Sequence, residues 1–376
     1  MYQIDKVQIP ADSKFNLECA MELANLIAVA YSDYEVWDKS AKTEKDLPPA
    51  IITASKEFVD LRVNQIEQIE EVEAPNVYSR LDPFWNRTER VEEYKRIKSF
   101  WFPQWWWGEA LNLKNLWEFL KTDIRDIFQN LQDLVVDEQL FGFIAQSQTQ
   151  PNKFFVVFRG TREAAEWFNN FRPVPKPFLE EEGFRNLGGV RNGFNLIYSS
   201  KKGRESKNPT IKETIAKLFK EQRIDSNSEI FVTGHSLGAG LATLATLHLH
   251  KVAELNNVQP LIQLYTFASP RVGDETFAEY FNKIQSFRII NSEDMIQSVP
   301  FSTTQVVDDE TFDGMKPQQK VRFRSFRAFL EGVTGGQAGK HYQHVGVPIT
   351  FTKQTGTIAG NHNLTKTYRE ALNIKR

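Results

Sequence analysis

The chain has 376 residues, 41% hydrophobic and 25% charged, enough to bury a large core without disulfides or metals, which excludes the disordered and fibrous classes. With 46 basic against 48 acidic side chains the net charge is -2, so no global field draws in nucleic acid or an anionic membrane. The single cysteine, Cys19, has no partner for an intramolecular disulfide and reads as a core residue of an apolar helix.

In chain order, Met1 to Phe15 alternates polar and charged residues without an apolar h-region, and no apolar run approaches the ~18 residues of a spanning helix. The cytoplasm is the expected compartment, with peripheral membrane contact as a variant. Glu18 to Tyr31 is apolar at helical spacing (Leu23, Leu26, Ile27, Val29, Ala30), and Asn112 to Val135 also reads as helix. Residues from about 43 to 119 differ in character and read as an insertion or cap, Trp-rich and helical, over the rest of a single domain. Six of the eight tryptophans lie between Trp85 and Trp117, including Trp101 and the run Trp105, Trp106, Trp107. Arg87, Arg90, Lys95, Arg96 and Lys98 precede that run. Aromatic rings beside basic side chains suit a headgroup layer, so the Trp101 to Trp107 segment is a candidate contact with a membrane or lipid-droplet surface. A flap packed on the core is the competing reading. Nucleic acid is not an expected partner.

After Asn152 short apolar strands appear: Phe154 to Phe158, Ile230 to Thr233, Leu261 to Ala268, Phe287 to Asn291 and Val345 to Phe351. Helical patterns separate most of them, at Ile211 to Glu221, Leu237 to Leu255, Glu275 to Ile284 and Leu364 to Leu372. That alternation predicts an α/β fold with a mostly parallel central sheet flanked by helices, and a core over about 141 to 372. Pro173, Pro175 and Pro177 followed by Gly183, Gly188 and Gly189 predict a long surface loop.

Chemistry concentrates at Gly234-His235-Ser236-Leu237-Gly238, which follows an apolar strand and opens a helix rich in small residues. A turn tight enough to push a serine hydroxyl out over the sheet edge brings backbones close, and glycine is needed two positions either side. A neutral hydroxyl is a poor nucleophile and requires a histidine base, itself oriented by a carboxylate. Working groups in open α/β sheets lie beyond the carboxyl ends of strands. Asp294 meets that rule in the loop after Asn291, with Glu293 as its rival. Of six histidines, His362 follows the last strand and is the expected base, with His344 as the alternative. His248 and His250 read as surface residues of the helix after Ser236. An oxyanion needs two donors, and the N–H of Leu237 and the Gly160-Thr161 turn are the candidates.

Four segments together resemble the class 3 (fungal-type) lipase family. They are Val156 to Thr161 with Trp167 and Asn170, Val232 to Gly240, Tyr265 to Gly273, and Arg288 to Asp294 ahead of Pro300. The resemblance covers about Phe141 to Leu372. It implies an α/β-hydrolase fold, Ser236, Asp294 and His362 as a triad, Thr161 and Leu237 at an oxyanion hole, and no cofactor or metal. The implied substrate is a lipid ester, a glyceride in the leading reading. Phospholipase or galactolipase A1 activity uses the same machinery, and a non-catalytic binding module is the reading from another class. The family's helical lid would fall at Glu163 to Phe171, with Trp167 and Phe168 as its apolar face.

Overall fold

The computed structural model describes residues 7–39, 51–53, 77–90, 135–160, 175–180, 184–199, 209–221, 223–298 and 342–373. The chain divides into two compact units, residues 1–85 with 140–200 and 208–376, and residues 86–139 with 201–207. All of the candidate chemistry falls in the first.

The strands are β1 (Ile51–Thr53), β2 (Val77–Arg90), β3 (Val135–Ser147), β4 (Lys153–Phe158), β5 (Pro175–Pro177), β6 (Gly189–Arg191), β7 (Glu229–His235), β8 (Leu261–Phe267), β9 (Ser286–Asn291) and β10 (Val347–Phe351). Among the described residues one sheet runs in the order β1-β2-β3-β4-β7-β8-β9-β10. The five strands β4, β7, β8, β9 and β10 are parallel, whereas β1 pairs antiparallel with β2 and β3 antiparallel with β4.

Alternation along each strand sends neighbouring side chains to opposite faces. On one face Phe154, Val156, Phe158, Ile230, Val232 and Leu264 are buried in one cluster. It includes residues of α2 (Asn192–Ser199), α3 (Ile211–Lys220), α4 (Leu237–Leu255) and α5 (Glu275–Phe281). On the other face Phe155, Val157, Phe231, Tyr265, Phe287, Ile289 and Ile349 pack with α1 (Leu17–Lys39) and with Leu364, Tyr368 and Leu372 near the C-terminus. A sheet covered on both sides makes its strands read as unbroken apolar runs, which is why β4 (Lys-Phe-Phe-Val-Val-Phe) was recognisable.

The small β5–β6 hairpin pairs Pro177 with Gly189 inside the stretch expected to be loop. Both the hairpin and α2 are too short to show a period. Within the 43–119 range, expected as helical insertion, the described residues are instead strands β1 and β2. Trp101 and Trp105 to Trp107 lie outside the described residues. Val135, the expected end of a helix, begins β3. His248 corrects another expectation, for it is 1% exposed and its Nδ1 lies 3.0 Å from the Tyr198 hydroxyl. A small-residue helix crossing a sheet buries most of its circumference, so a position remote from its N-terminus is not thereby a surface position. Cys19 is partly buried against the second cluster, and burial pushes its thiol pKa up to about 12. Among the described residues no helix is long and apolar enough to cross a membrane, and no cluster of three metal-ligating side chains occurs.

Candidate active site

Register places the working loops together. Phe158 pairs with Gly234, His235 with Phe267, Phe267 with Ile289, and Asn291 with Phe351. The carboxyl ends of β4, β7, β8, β9 and β10 therefore form one edge. Beyond it lie Gly160, Ser236, Asp294 and His362.

Ser236 joins β7 to α4 with φ 58° and ψ -124°, a conformation L side chains rarely adopt. Holding it costs about 1–3 kcal/mol, supplied by the packing around the turn. A Cβ at Gly234 would lie 2.2 Å from the Gly238 carbonyl oxygen, and one at Gly238 would lie 2.4 Å from that of Arg159. Both glycines are thus required by close backbone approach. Ser236 is fully buried, and among the described residues its Oγ has no hydrogen-bond partner. Leu237, also fully buried, is the first residue of α4. Its N–H is among those a helix start leaves without an intrahelical acceptor, at the end of the helix dipole that favours negative charge.

Asp294 follows β9 and is 1% exposed. Its Oδ2 lies 2.7 Å from Nδ1 of His362 and accepts from the Tyr368 hydroxyl at 2.6 Å, while Oδ1 accepts from the Ile296 N–H at 3.0 Å. Three donors replace the water that burial removed from the carboxylate. Burial, reinforced by Asp294, holds the Tyr368 hydroxyl well above its ordinary pKa, so it remains a donor. Because a carboxylate only accepts, His362 donates from Nδ1, which in the neutral imidazole leaves the lone pair on Nε2. Among the described residues neither that buried Nε2 nor Ser236 Oγ has a hydrogen-bond partner, so the two are not bonded to each other.

The loops bearing Asp294 and His362 are tied by two asparagines. Asn291 donates from Nδ2 to the carbonyls of Lys353 and Asn361 at 2.9 and 3.0 Å, and its Oδ1 accepts from the Lys353 N–H at 2.8 Å. Asn361 donates to the Glu293 carbonyl at 3.0 Å. Glu293, the rival acid, thus enters this network through its backbone. His344 is packed beside Arg288 and Arg271, where burial first and those guanidiniums second push its pKa down to about 2.

On the far side, Arg159 is 1% exposed. It donates to the carbonyls of Leu140 and Gly160 at 2.6 and 2.7 Å, and its guanidinium lies 3.5 Å from the Tyr34 ring centroid. These contacts anchor the Gly160 turn. Thr161, the second candidate oxyanion donor, lies outside the described residues, as do Trp167 and Phe168. Tyr368, Asn291 and Arg159 support the site and were not identified from the sequence. The Arg-Gly-Thr turn was the one local signal for any of them, and Tyr368 meets Asp294 across 74 positions of sequence.

His235, inside the elbow, is 3% exposed. Burial, and secondarily His362, hold its pKa well below 6.5. In the unfolded chain it binds a proton near its ordinary value, so between its folded pKa and about 6.5 the unfolded state is the more protonated. Its contribution to stability is therefore lost as pH falls below about 6.5. Urea midpoints should drop between pH 7.5 and pH 5, and His235→Gln should drop less over the same interval. Equal drops would remove His235 from the acid response.

Comparison with known proteins agrees with the motifs. Residues 155–304 match the family described as lipase (class 3). A chloroplastic phospholipase A(1) of Arabidopsis thaliana is 33% identical over 153 residues, covering 39% of this chain and 33% of that protein. A second chloroplastic Arabidopsis thaliana protein, phospholipase A1-Igamma3, is 29% identical over 231 residues, covering 56% and 40%. The crystal structure of M37 lipase aligns over 93% of both chains at 15% identity with a TM-score of 0.47. The chain spans between a third and a half of the length of the curated relatives it matches.

Proposed function

We propose that this protein, whose residues 155–304 match the lipase (class 3) family, hydrolyses carboxylic esters of lipids through an acyl-Ser236 intermediate. The observation that carries the reading is the Asp294–His362 contact of 2.7 Å at the same sheet edge as the positive-φ elbow that holds Ser236. Ser236 Oγ attacks the acyl carbon as its proton passes to His362 Nε2, and Asp294 stabilises the imidazolium. The oxyanion faces the N–H of Leu237, with Thr161 as the second donor. Collapse breaks the ester bond, and the proton on His362 goes to the departing alcohol. Water then repeats the sequence on the acyl-enzyme, releasing the fatty acid and restoring the hydroxyl.

Glyceride esters are the leading substrate class. Phospholipid is the second, favoured by three matching relatives that are phospholipases A1 by name. A panel running from short soluble esters through triacylglycerol to phospholipid and galactolipid separates the two. Release of free fatty acid from at least one lipid, faster than from its Ser236→Ala counterpart, is the expected result. A folded protein that hydrolyses none of them would overturn the reading in favour of a binding module.

A further inference from the structure

We infer that Tyr31 and His235 form a positioning relay that ties the Gly160 turn, the Ser236 elbow and the His362 loop into one unit. Three hydrogen bonds carry it. The Gly160 N–H donates to the Tyr31 hydroxyl at 2.9 Å, that hydroxyl lies 2.8 Å from Nδ1 of His235, and Nε2 of His235 lies 2.9 Å from the carbonyl oxygen of His362. The inference rests on the proposed serine hydrolase chemistry, because what the relay aligns are its donor loop, its nucleophile and its base.

Proton inventory leaves one arrangement. A carbonyl only accepts, so His235 carries its proton on Nε2 and Nδ1 is an acceptor. The Tyr31 proton must then point to Nδ1, which frees an oxygen lone pair for the Gly160 N–H. Burial keeps His235 neutral and holds the Tyr31 hydroxyl well above its ordinary pKa, so neither end of the relay changes charge during turnover. Neutrality matters, for the His235 and His362 rings lie with centroids 4.7 Å apart. A cation at His235 would oppose the imidazolium that His362 becomes.

Space is as constrained as the protons. A Cβ on Gly160 would come within 2.5 Å of the Tyr31 hydroxyl, 2.7 Å of the His235 carbonyl and 2.9 Å of Ser236 Cβ. The turn is therefore seated against the elbow, with the tyrosine hydroxyl as its third wall. Tyr31 lies in α1, which packs on the sheet face beneath the site. An N-terminal helix that reads as packing thus reaches the reacting centre through a single hydroxyl.

Tyr31→Phe keeps the ring and deletes that hydroxyl. With a soluble p-nitrophenyl ester, kcat should fall about 10- to 100-fold, the scale of a displacement near 1 Å in a reacting group. KM should stay within about twofold, since the relay touches no substrate. The rate of labelling by a serine-directed phosphonate should fall with kcat. His235→Gln should show the same pattern, and the double variant should lose no more than about twofold beyond the worse single one, because both remove one connected unit. A Tyr31→Phe kcat within twofold of wild type, a change confined to KM or melting temperature, or losses that multiply in the double variant would each overturn the relay. Should His235→Gln fail to fold, the Tyr31→Phe kcat, KM and labelling rate decide alone. Wild-type protein that the phosphonate does not label would overturn the hydrolase reading instead.

Discussion

Ser236→Ala is expected to lower ester hydrolysis by at least about 10⁴-fold and to abolish covalent labelling by a phosphonate, with the fold unchanged. The magnitude follows from the role, since no other atom of the site supplies the oxygen that joins the acyl group. An unchanged fold follows from the environment: among the described residues the hydroxyl has no hydrogen-bond partner, so its removal breaks none there. Alanine also keeps the Cβ that the positive-φ elbow already accommodates. The check is mass spectrometry of the labelled protein beside a thermal melt. Labelling of Ser236→Ala at the wild-type rate would place the nucleophile elsewhere. A matching loss in His362→Ala, with the double variant no worse than either single, is the signature of groups acting as one unit.

Asp294→Asn is expected to cost about 10⁴-fold in kcat while leaving most of the packing in place. The reason is the tautomer. With Oδ1 of the amide retained on the Ile296 N–H, an NH2 group stands where Oδ2 now accepts from His362 and Tyr368. The imidazole then accepts at Nδ1 and carries its proton on Nε2, so no lone pair is left on Nε2 to take the Ser236 proton. Tyr368 loses its acceptor in the same change, which leaves a buried hydroxyl proton unsatisfied at roughly 1–3 kcal/mol of stability, while its oxygen still accepts from the Asn291 N–H. Steady-state kinetics on a soluble ester with a parallel urea melt read both effects. Glu293→Gln is the control, because Glu293 meets this network through its carbonyl. A larger loss in Glu293→Gln than in Asp294→Asn would reverse the assignment of the acid.

The sequence by itself determined the α/β alternation and the strand-turn-helix elbow at Ser236. These were legible because each is a local or periodic property. Five consecutive apolar residues in β4 mark a strand buried on both faces, and glycines two residues either side of Ser236 mark a turn whose backbone passes within 2.4 Å of where a Cβ would sit. Tertiary structure alone decided what holds those groups in place. Tyr31 joins the Gly160 turn to His235 across 129 and 204 positions of sequence, and Asn291 clasps a loop 70 positions away. Such residues carry no pattern of their own: a tyrosine in an apolar helix and an asparagine at a strand end look like packing and punctuation. Only sheet register, which brings the carboxyl ends of five parallel strands to one edge, gives a hydroxyl in the first helix something to bond.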